Sequence, residues 1–141
     1  MSINNLKYKI YSYNHHQIFS VLQLHFIPKF YVIASLTNDY SKTIIFYPNT
    51  QHVNLLEFTG FIDKNGVEIY EGDVIEHDNS EIGGTCDVGE VFWCDDLTLI
   101  SHPGWAIWVY KDGKPKGLKT FGLGAYKVID NFFINRHKYK Y

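Results

Sequence analysis

Apolar and polar residues alternate with a period of two along most of the chain. Leu6, Tyr8 and Ile10 are separated by lysines, and longer β-branched and aromatic runs end at turn signals such as Pro48-Asn49. This spacing is typical of half-buried strands. It predicts strands at residues 6–10, 18–26, 30–36, 43–47, 55–62, 67–70, 73–76, 89–93, 105–110, 118–121 and 127–133. The segment 18–26 also fits a short helix.

A second signal is the pair Asn65-Gly66, which stands between two apolar runs. Both residue types accept a positive φ, so the pair predicts a tight turn and a β-hairpin over residues 58–70. Short strands at this spacing favour a small barrel or sandwich over alternating α/β units. The expected fold is all-β in one domain, with an SH3-like barrel at residues 57–141 extended by an N-terminal antiparallel sheet at residues 1–56.

The composition is that of a globular protein. Of the 141 residues, 45% are apolar, 20% are charged and 17% are aromatic, which excludes intrinsic disorder and collagen-like repeats. The first residues lack the apolar core of a secretion signal, and the longest apolar stretch is far shorter than a membrane span. Cys86 and Cys94 are too few to staple a secreted scaffold. We therefore expect a cytoplasmic protein with reduced thiols.

Charge is segregated along the chain, although the net charge is only −2. Residues 1–56 carry +3, residues 57–96 carry −11 because twelve acids stand against Lys64, and residues 97–141 carry +6. Such asymmetry fits pairing of the basic and acidic segments inside one chain, contact between subunits, or contact with an outside partner. Solvated faces on edge strands are the simpler alternative. We expect a homo-oligomer in which the tail 136–141 lies near the acidic segment of a neighbour.

Residues 58–75, which read FTGFIDKNGVEIYEGDVI, carry a recognisable signature. They resemble the YopX family, small proteins of bacteriophages and of prophages in low-GC bacteria. Residues 89–93, 104–108 and 127–133 are similar to the strands that follow this signature, although Asp130 stands where the family usually has glycine. The first fifty residues match poorly, and the family has no settled activity to carry over.

The resemblance implies a phage- or prophage-encoded protein in the host cytoplasm. We expect it to act by binding, either by interfering with a host defence protein or by sequestering a host signal. The chain carries no nucleophile elbow and no phosphate-binding glycine loop, so we expect no enzymatic activity and no cofactor.

One candidate surface combines lysines with aromatic side chains near the C-terminus. Positive charge suits phosphate and aromatic faces suit bases, so this region could bind single-stranded nucleic acid or a nucleotide. The alternative is that the aromatics are core and the lysines cap a hairpin. Lys116 and Lys119 are both expected on the surface. Sequence readout of duplex DNA is not expected, since the chain has one arginine. The candidate residues are Trp105, Trp108, Lys111, Lys114, Lys116, Lys119 and Tyr126.

A second candidate surface is acidic and would contact a host protein. Carboxylates beside a glycine turn usually solvate that turn, so a catalytic cluster here is not favoured. The candidates are Glu68, Glu71, Asp73, Glu76, Asp78, Asp95 and Asp96. A zinc site would have to draw on His77, Cys86, Cys94 and His102, but their even spacing lacks the close ligand pairs of structural zinc sites. We therefore predict no metal.

Overall fold

The computed structural model describes residues 7–78, 86–111, 114–122 and 125–139, with the side chains of residues 137 and 139 left out. All the predicted strands are present, and the segment 18–26 is a strand and not a helix. The strands are β1 (Tyr8–Ser12), β2 (Gln17–His25), β3 (Tyr31–Ser35), β4 (Thr43–Phe46), β5 (Val53–Ile62), β6 (Glu68–Tyr70), β7 (Asp73–Asp78), β8 (Cys86–Cys94), β9 (Gly104–Lys111), β10 (Lys114–Thr120) and β11 (Ala125–Asn131). A 3-10 helix follows at Arg136–Tyr139.

These strands form two antiparallel sheets. The strand order is β4-β3-β2-β1-β5-β6 in the six-stranded sheet and β10-β9-β8-β7-β11 in the five-stranded sheet. Each order runs from one edge strand to another, so neither sheet closes on itself within the described residues. The all-β prediction is confirmed, whereas the SH3-like barrel is not.

The backbone divides into two compact units, residues 1–58 and 59–141. In the first unit, β1 pairs with β2 and with β5, and alternate residues of these strands supply the core. Ile10, Phe19, Val32, Ala34 and Phe46 are buried together. Val32 and Ala34 show the period-two spacing of a buried face, whereas Ile10, Tyr11 and Ser12 are buried in succession. The prediction of a single domain stays a prediction.

In the second unit, the core lies on one face of the five-stranded sheet. It is formed by Ile69, Ile75, Val91, Ile107 and Val109. The strands β8 and β9 approach each other closely at Gly89, where a Cβ atom would lie 2.6 Å from the Trp108 carbonyl oxygen. A side chain at this position would therefore clash with backbone.

The hairpin between β5 and β6 turns at Asp63-Lys64-Asn65-Gly66. The N–H of Gly66 donates to the Asp63 carbonyl at 3.1 Å, and the N–H of Asp63 donates to the Val67 carbonyl at 2.8 Å. Gly66 has a φ of 81°, whereas Asn65 does not have a positive φ. The hairpin prediction is confirmed, but its loop has three residues and a left-handed glycine at the end instead of two left-handed residues.

The buried side chain of Asp63 holds this hairpin in place. Its Oδ1 accepts hydrogen bonds from the N–H groups of Asn65 and Val67, both at 2.8 Å. Its Oδ2 accepts a bond of 3.0 Å from the N–H of Val128 in β11. Burial alone would raise the pKa of this carboxyl, but the three N–H donors outweigh it and hold the pKa below its usual value.

Candidate binding site

A polar cluster lies at one end of the core face of the five-stranded sheet. The strand register places His77 of β7 opposite Asp87 of β8 and opposite Tyr126 of β11. The rings of His77 and Tyr126 are stacked, with centroids 4.1 Å apart and planes inclined by 11°. His77 is only 4% exposed. A buried imidazole is costly to charge, so its hydrogen bonds decide how it is held.

Lys119 of β10 supplies a hydrogen bond to His77. Its Nζ lies 2.6 Å from Nδ1 of His77 and 3.0 Å from Oδ2 of Asp87. An ammonium group can only donate, so Nδ1 of His77 is the acceptor of this bond. The hydrogen bond from Lys119 lowers the pKa of Asp87, against the opposing effect of burial. The three side chains form one hydrogen-bonded unit.

The cluster also joins the acidic and basic segments of the sequence. Lys116 lies 3.9 Å from Oδ1 of Asp87, so one carboxylate faces two lysines. Pairing inside the chain, one of the alternatives left open by the charge pattern, therefore occurs at this place. The side chain of Lys116 is 51% exposed, but that of Lys119 is only 24% exposed. The expectation of a surface position is confirmed for Lys116, whereas Lys119 is only partly exposed.

Aromatic rings continue from this cluster across the same face. Phe121 lies 5.1 Å from Tyr126 and stacks on Phe61 at 4.5 Å. Trp105 meets Trp93 edge to face at 5.3 Å. Trp105, Phe121 and Tyr126 all pack against the core of the second unit. The candidate residues Trp105 and Tyr126 are thus largely core contacts and not an open stacking platform.

Trp108 lies on the other face of β9, because residues 105 and 108 differ by an odd number of positions. It stands directly opposite Glu90 of β8 and meets Phe92 edge to face at 6.1 Å. Its buried Nε1 has no hydrogen-bond partner among the described residues. Burial raises the pKa of Glu90 to about 7, and the nearby negative charge of Glu71 also raises it. A hydrogen bond from the Tyr110 hydroxyl lowers the pKa and offsets part of this rise.

The predicted lysine and aromatic residues therefore do not form one site. Lys116, Lys119 and Tyr126 come together around His77 and Asp87. The sequence had suggested His77 only as a possible zinc ligand, and Asp87 was not a candidate. Lys111 and Lys114 are exposed at the ends of the β9–β10 hairpin, whose residues 112–113 lie outside the described part. Trp108 is separated from the others by the sheet itself.

The predicted acidic residues are also distributed over different environments. Asp73 is buried, and its Oδ2 accepts a hydrogen bond of 2.8 Å from the N–H of Tyr70. Glu76 and Asp78 lie on the opposite face of β7 from Asp73. Asp73 thus stabilises the corner between β6 and β7 and is not available to a partner.

The other four acidic candidates lie around these strands. The hydroxyl of Tyr70 donates to Glu68 at 3.3 Å, and Glu71 is half-buried. Asp95 and Asp96 are exposed after β8, where Oδ1 of Asp96 accepts a hydrogen bond of 2.9 Å from the N–H of Thr98. That turn closes the end of β8.

The possible zinc ligands do not converge. Cys86 is exposed at the start of β8 and Cys94 is buried at its end, while His77 bonds to Lys119. Within the described ranges, no three His, Cys, Asp or Glu side chains are placed to hold a metal ion. Burial raises the pKa of the Cys86 thiol, and nearby carboxylates add to this, so the thiolate is disfavoured.

A groove that sequence reasoning missed lies beside Lys119. It has a volume of about 560 Å³ and runs between residues 99–102, in the loop after β8, and residues 118–120 of β10. Large apolar side chains stand exposed around this loop, with Trp93 at 49%, Leu97 at 65% and Leu99 at 53% exposure. The signal was present in the sequence as apolar residues at positions 97, 99 and 100, inside a segment that carries turn residues.

The fold and this groove define a class: an all-β protein of two open antiparallel sheets, with a surface groove along one edge strand. The family described as YopX protein matches residues 7–135, which is nearly the whole chain. The chain belongs to the YopX family. The match begins just before β1, so it includes residues 7–50, where the sequence alone shows little resemblance to the family.

Comparison with solved structures supports the same fold. The crystal structure of protein EF1440 from Enterococcus faecalis is similar to this chain with a TM-score of 0.57 and 16% sequence identity. The similarity covers 96% of this chain and 98% of that chain, and it concerns the fold alone. No curated protein sequence matches. Within the part that the structure describes, no helix has the length and apolar character needed to cross a membrane.

Proposed function

We propose that this protein is a phage- or prophage-encoded binding protein that acts without catalysis on a host protein in the host cytoplasm. A host defence protein is the target class that the family resemblance suggests. The observation that supports binding is the set of exposed apolar side chains beside the groove along β10.

These side chains have the properties of an interaction surface. Trp93, Leu97 and Leu99 are each about half exposed or more. Leu99 lines the groove, Leu97 precedes it in the same loop, and Trp93 lies near the end of β8, before that loop. Clustered apolar exposure marks contact sites more often than scattered exposure does. Tryptophan in particular is enriched among the residues that dominate binding energy at interfaces.

The alternative is binding of single-stranded nucleic acid or a nucleotide through the lysine and aromatic residues. It has weaker support because Lys119 is engaged by Asp87 and His77, and because Trp105 and Tyr126 pack against the core. Lys111, Lys114 and Lys116 remain exposed. Sequestration of a host nucleotide signal is therefore the second candidate.

The test is capture of host proteins from a low-GC bacterial lysate by three forms of the full chain. These are the wild type, the double variant Leu97→Glu/Leu99→Glu, and the control Ile62→Glu/Ile129→Glu. The control residues are exposed to a similar degree, 59% and 43%, and lie away from the groove residues in the sequence. We expect one host protein to be retained by the wild type and the control and lost from the groove variant.

Two results would overturn the proposal. Equal capture by all three forms would mean that the groove does not take part in binding. A nucleotide released in stoichiometric amount from the wild type, detected by mass spectrometry of the same eluates, would favour the second candidate. Circular dichroism melting of each variant ensures that loss of capture is not loss of fold.

A further inference from the structure

Among the described residues, β10 is an edge strand of the five-stranded sheet. On its inner side β10 pairs with β9, and in the sheet order it is the terminal strand of the described residues. Its first half is interrupted by Pro115 and by a shift of register between Pro115 and Gly117. Its second half, Leu118 to Thr120, pairs regularly with β9. Proline and bulges protect edges from unwanted pairing, so the regular half is the part of β10 that can accept another strand.

The groove lies along this same regular half. Leu118, Lys119 and Thr120 form one wall, and Leu99 and Ile100 contribute to the other. An extended peptide added to a sheet edge gains affinity from main-chain hydrogen bonds and specificity from pockets that take alternate side chains. The edge and the groove together supply both of these elements.

The charge of β10 restricts what can pair with it. The strand carries Lys114, Lys116 and Lys119 and no carboxylate, and Lys111 ends the preceding strand β9. Antiparallel pairing with β10 of a second copy would bring lysines of the two strands close together, and like charges at such positions are destabilising. An acidic strand would instead meet opposite charges, which also speeds encounter.

We propose that the edge of β10 at Leu118–Thr120 binds one extended, acidic segment of a partner protein as an added strand, with an apolar side chain of that segment in the groove. This inference rests on the proposed function and names the chemistry of the partner segment. Lys114 and Lys116 favour a segment with acidic residues. The groove wall formed by Leu99 and Ile100 favours an apolar residue between the acidic residues of that segment.

A selection experiment tests the proposal without knowledge of the partner. The full chain is used to select from a library of random twelve-residue peptides. We expect the enriched peptides to alternate Asp or Glu with Val, Ile or aromatic residues and to contain no central proline. The best peptide should slow hydrogen exchange, measured by NMR, at the backbone amides within residues 118–120 that point away from β9. The same peptide with N-methyl groups on alternate backbone nitrogens keeps its charge but should not bind.

The double variant Lys114→Glu/Lys116→Glu should weaken peptide binding about tenfold, which corresponds to the loss of two exposed charge pairs. The control Lys64→Glu/Lys127→Glu changes the net charge equally at exposed positions outside β10 and should leave binding unchanged. Absence of enrichment, equal binding of the N-methylated peptide, or no protection at residues 118–120 would each overturn strand addition. If host protein capture still depends on Leu97 and Leu99 in that case, the proposed function stands while this inference fails.

Discussion

The partly buried carboxyl of Glu90 should make the stability of the protein depend on pH. Burial raises its folded-state pKa from 4.5 to about 7, so the folded chain keeps a proton at pH values where the unfolded chain has released it. The contribution is fully present below pH 4.5 and is lost as pH rises through 7. One unit of pKa difference corresponds to about 1.4 kcal/mol, so the shift from 4.5 to about 7 corresponds to a loss of at most about 3.5 kcal/mol.

The variant Glu90→Gln keeps the shape of the side chain and removes the titration. Urea unfolding of wild type and variant at several pH values between 5 and 8.5 gives the free energy of unfolding of each. We expect the difference, variant minus wild type, to increase with pH by up to about 3.5 kcal/mol, because only the wild type must bury a charge at high pH. In this variant the Tyr110 hydroxyl can still donate a hydrogen bond, because the amide oxygen of glutamine is an acceptor.

A matched control is Glu76→Gln, on the neighbouring strand β7 and half-buried. This variant should keep the pH dependence of the wild type. The reasoning about Glu90 is refuted if wild type and Glu90→Gln show parallel pH profiles, or if the difference between them decreases as pH rises.

Three further predictions follow from other parts of the chain. Gly66→Val should lower the free energy of unfolding by about 1 kcal/mol or more, since Gly66 has a φ of 81° that β-branched residues avoid; an unchanged melting temperature would contradict this. Lys119→Met should lower the free energy of unfolding in urea by about 1–3 kcal/mol, because Asp87 and His77 lose a hydrogen-bond donor. The control Lys114→Met, at an exposed position, should change it by less than about 0.5 kcal/mol. Equal effects of the two variants would argue against the cluster. The chain should self-associate through opposite charges, so light scattering should show a shift toward monomer in high salt, and a single monomeric mass at both salt concentrations would end the idea.

The strands could be predicted because a half-buried strand requires apolar and polar residues to alternate within a few neighbouring positions. The signal for the hairpin is also local, because Asn65-Gly66 marks a turn. The loop type could not be predicted in this way, because the side chain of Asp63 favours the longer loop by accepting hydrogen bonds from the N–H groups of Asn65 and Val67. Local signals therefore located the elements more accurately than they described the connections between them.

The site could be predicted only in part, because its contacts join distant positions. Lys119 meets Asp87 and His77 across 32 and 42 residues, and nothing in the composition near Lys119 points to either partner. The separation of Trp105 from Trp108 was, by contrast, readable from the sequence once both were assigned to one strand, since an odd spacing sends side chains to opposite faces. The groove required the loop after β8 to approach β10, which depends on the pairing order of the sheet.

The side chain of Asp63 has a consequence for the order in which the second unit is assembled. Its Oδ1 accepts hydrogen bonds from N–H groups two and four residues away, so these two bonds can form as soon as the hairpin forms. The bond to its Oδ2 comes from the N–H of Val128, 65 residues further along the chain. Because closing a long loop costs more entropy than closing a short one, and because a growing chain leaves the ribosome from its N-terminal end, we expect the hairpin to fold first and β11 to dock onto it. One carboxylate thereby links the hairpin to β11, which is synthesised later.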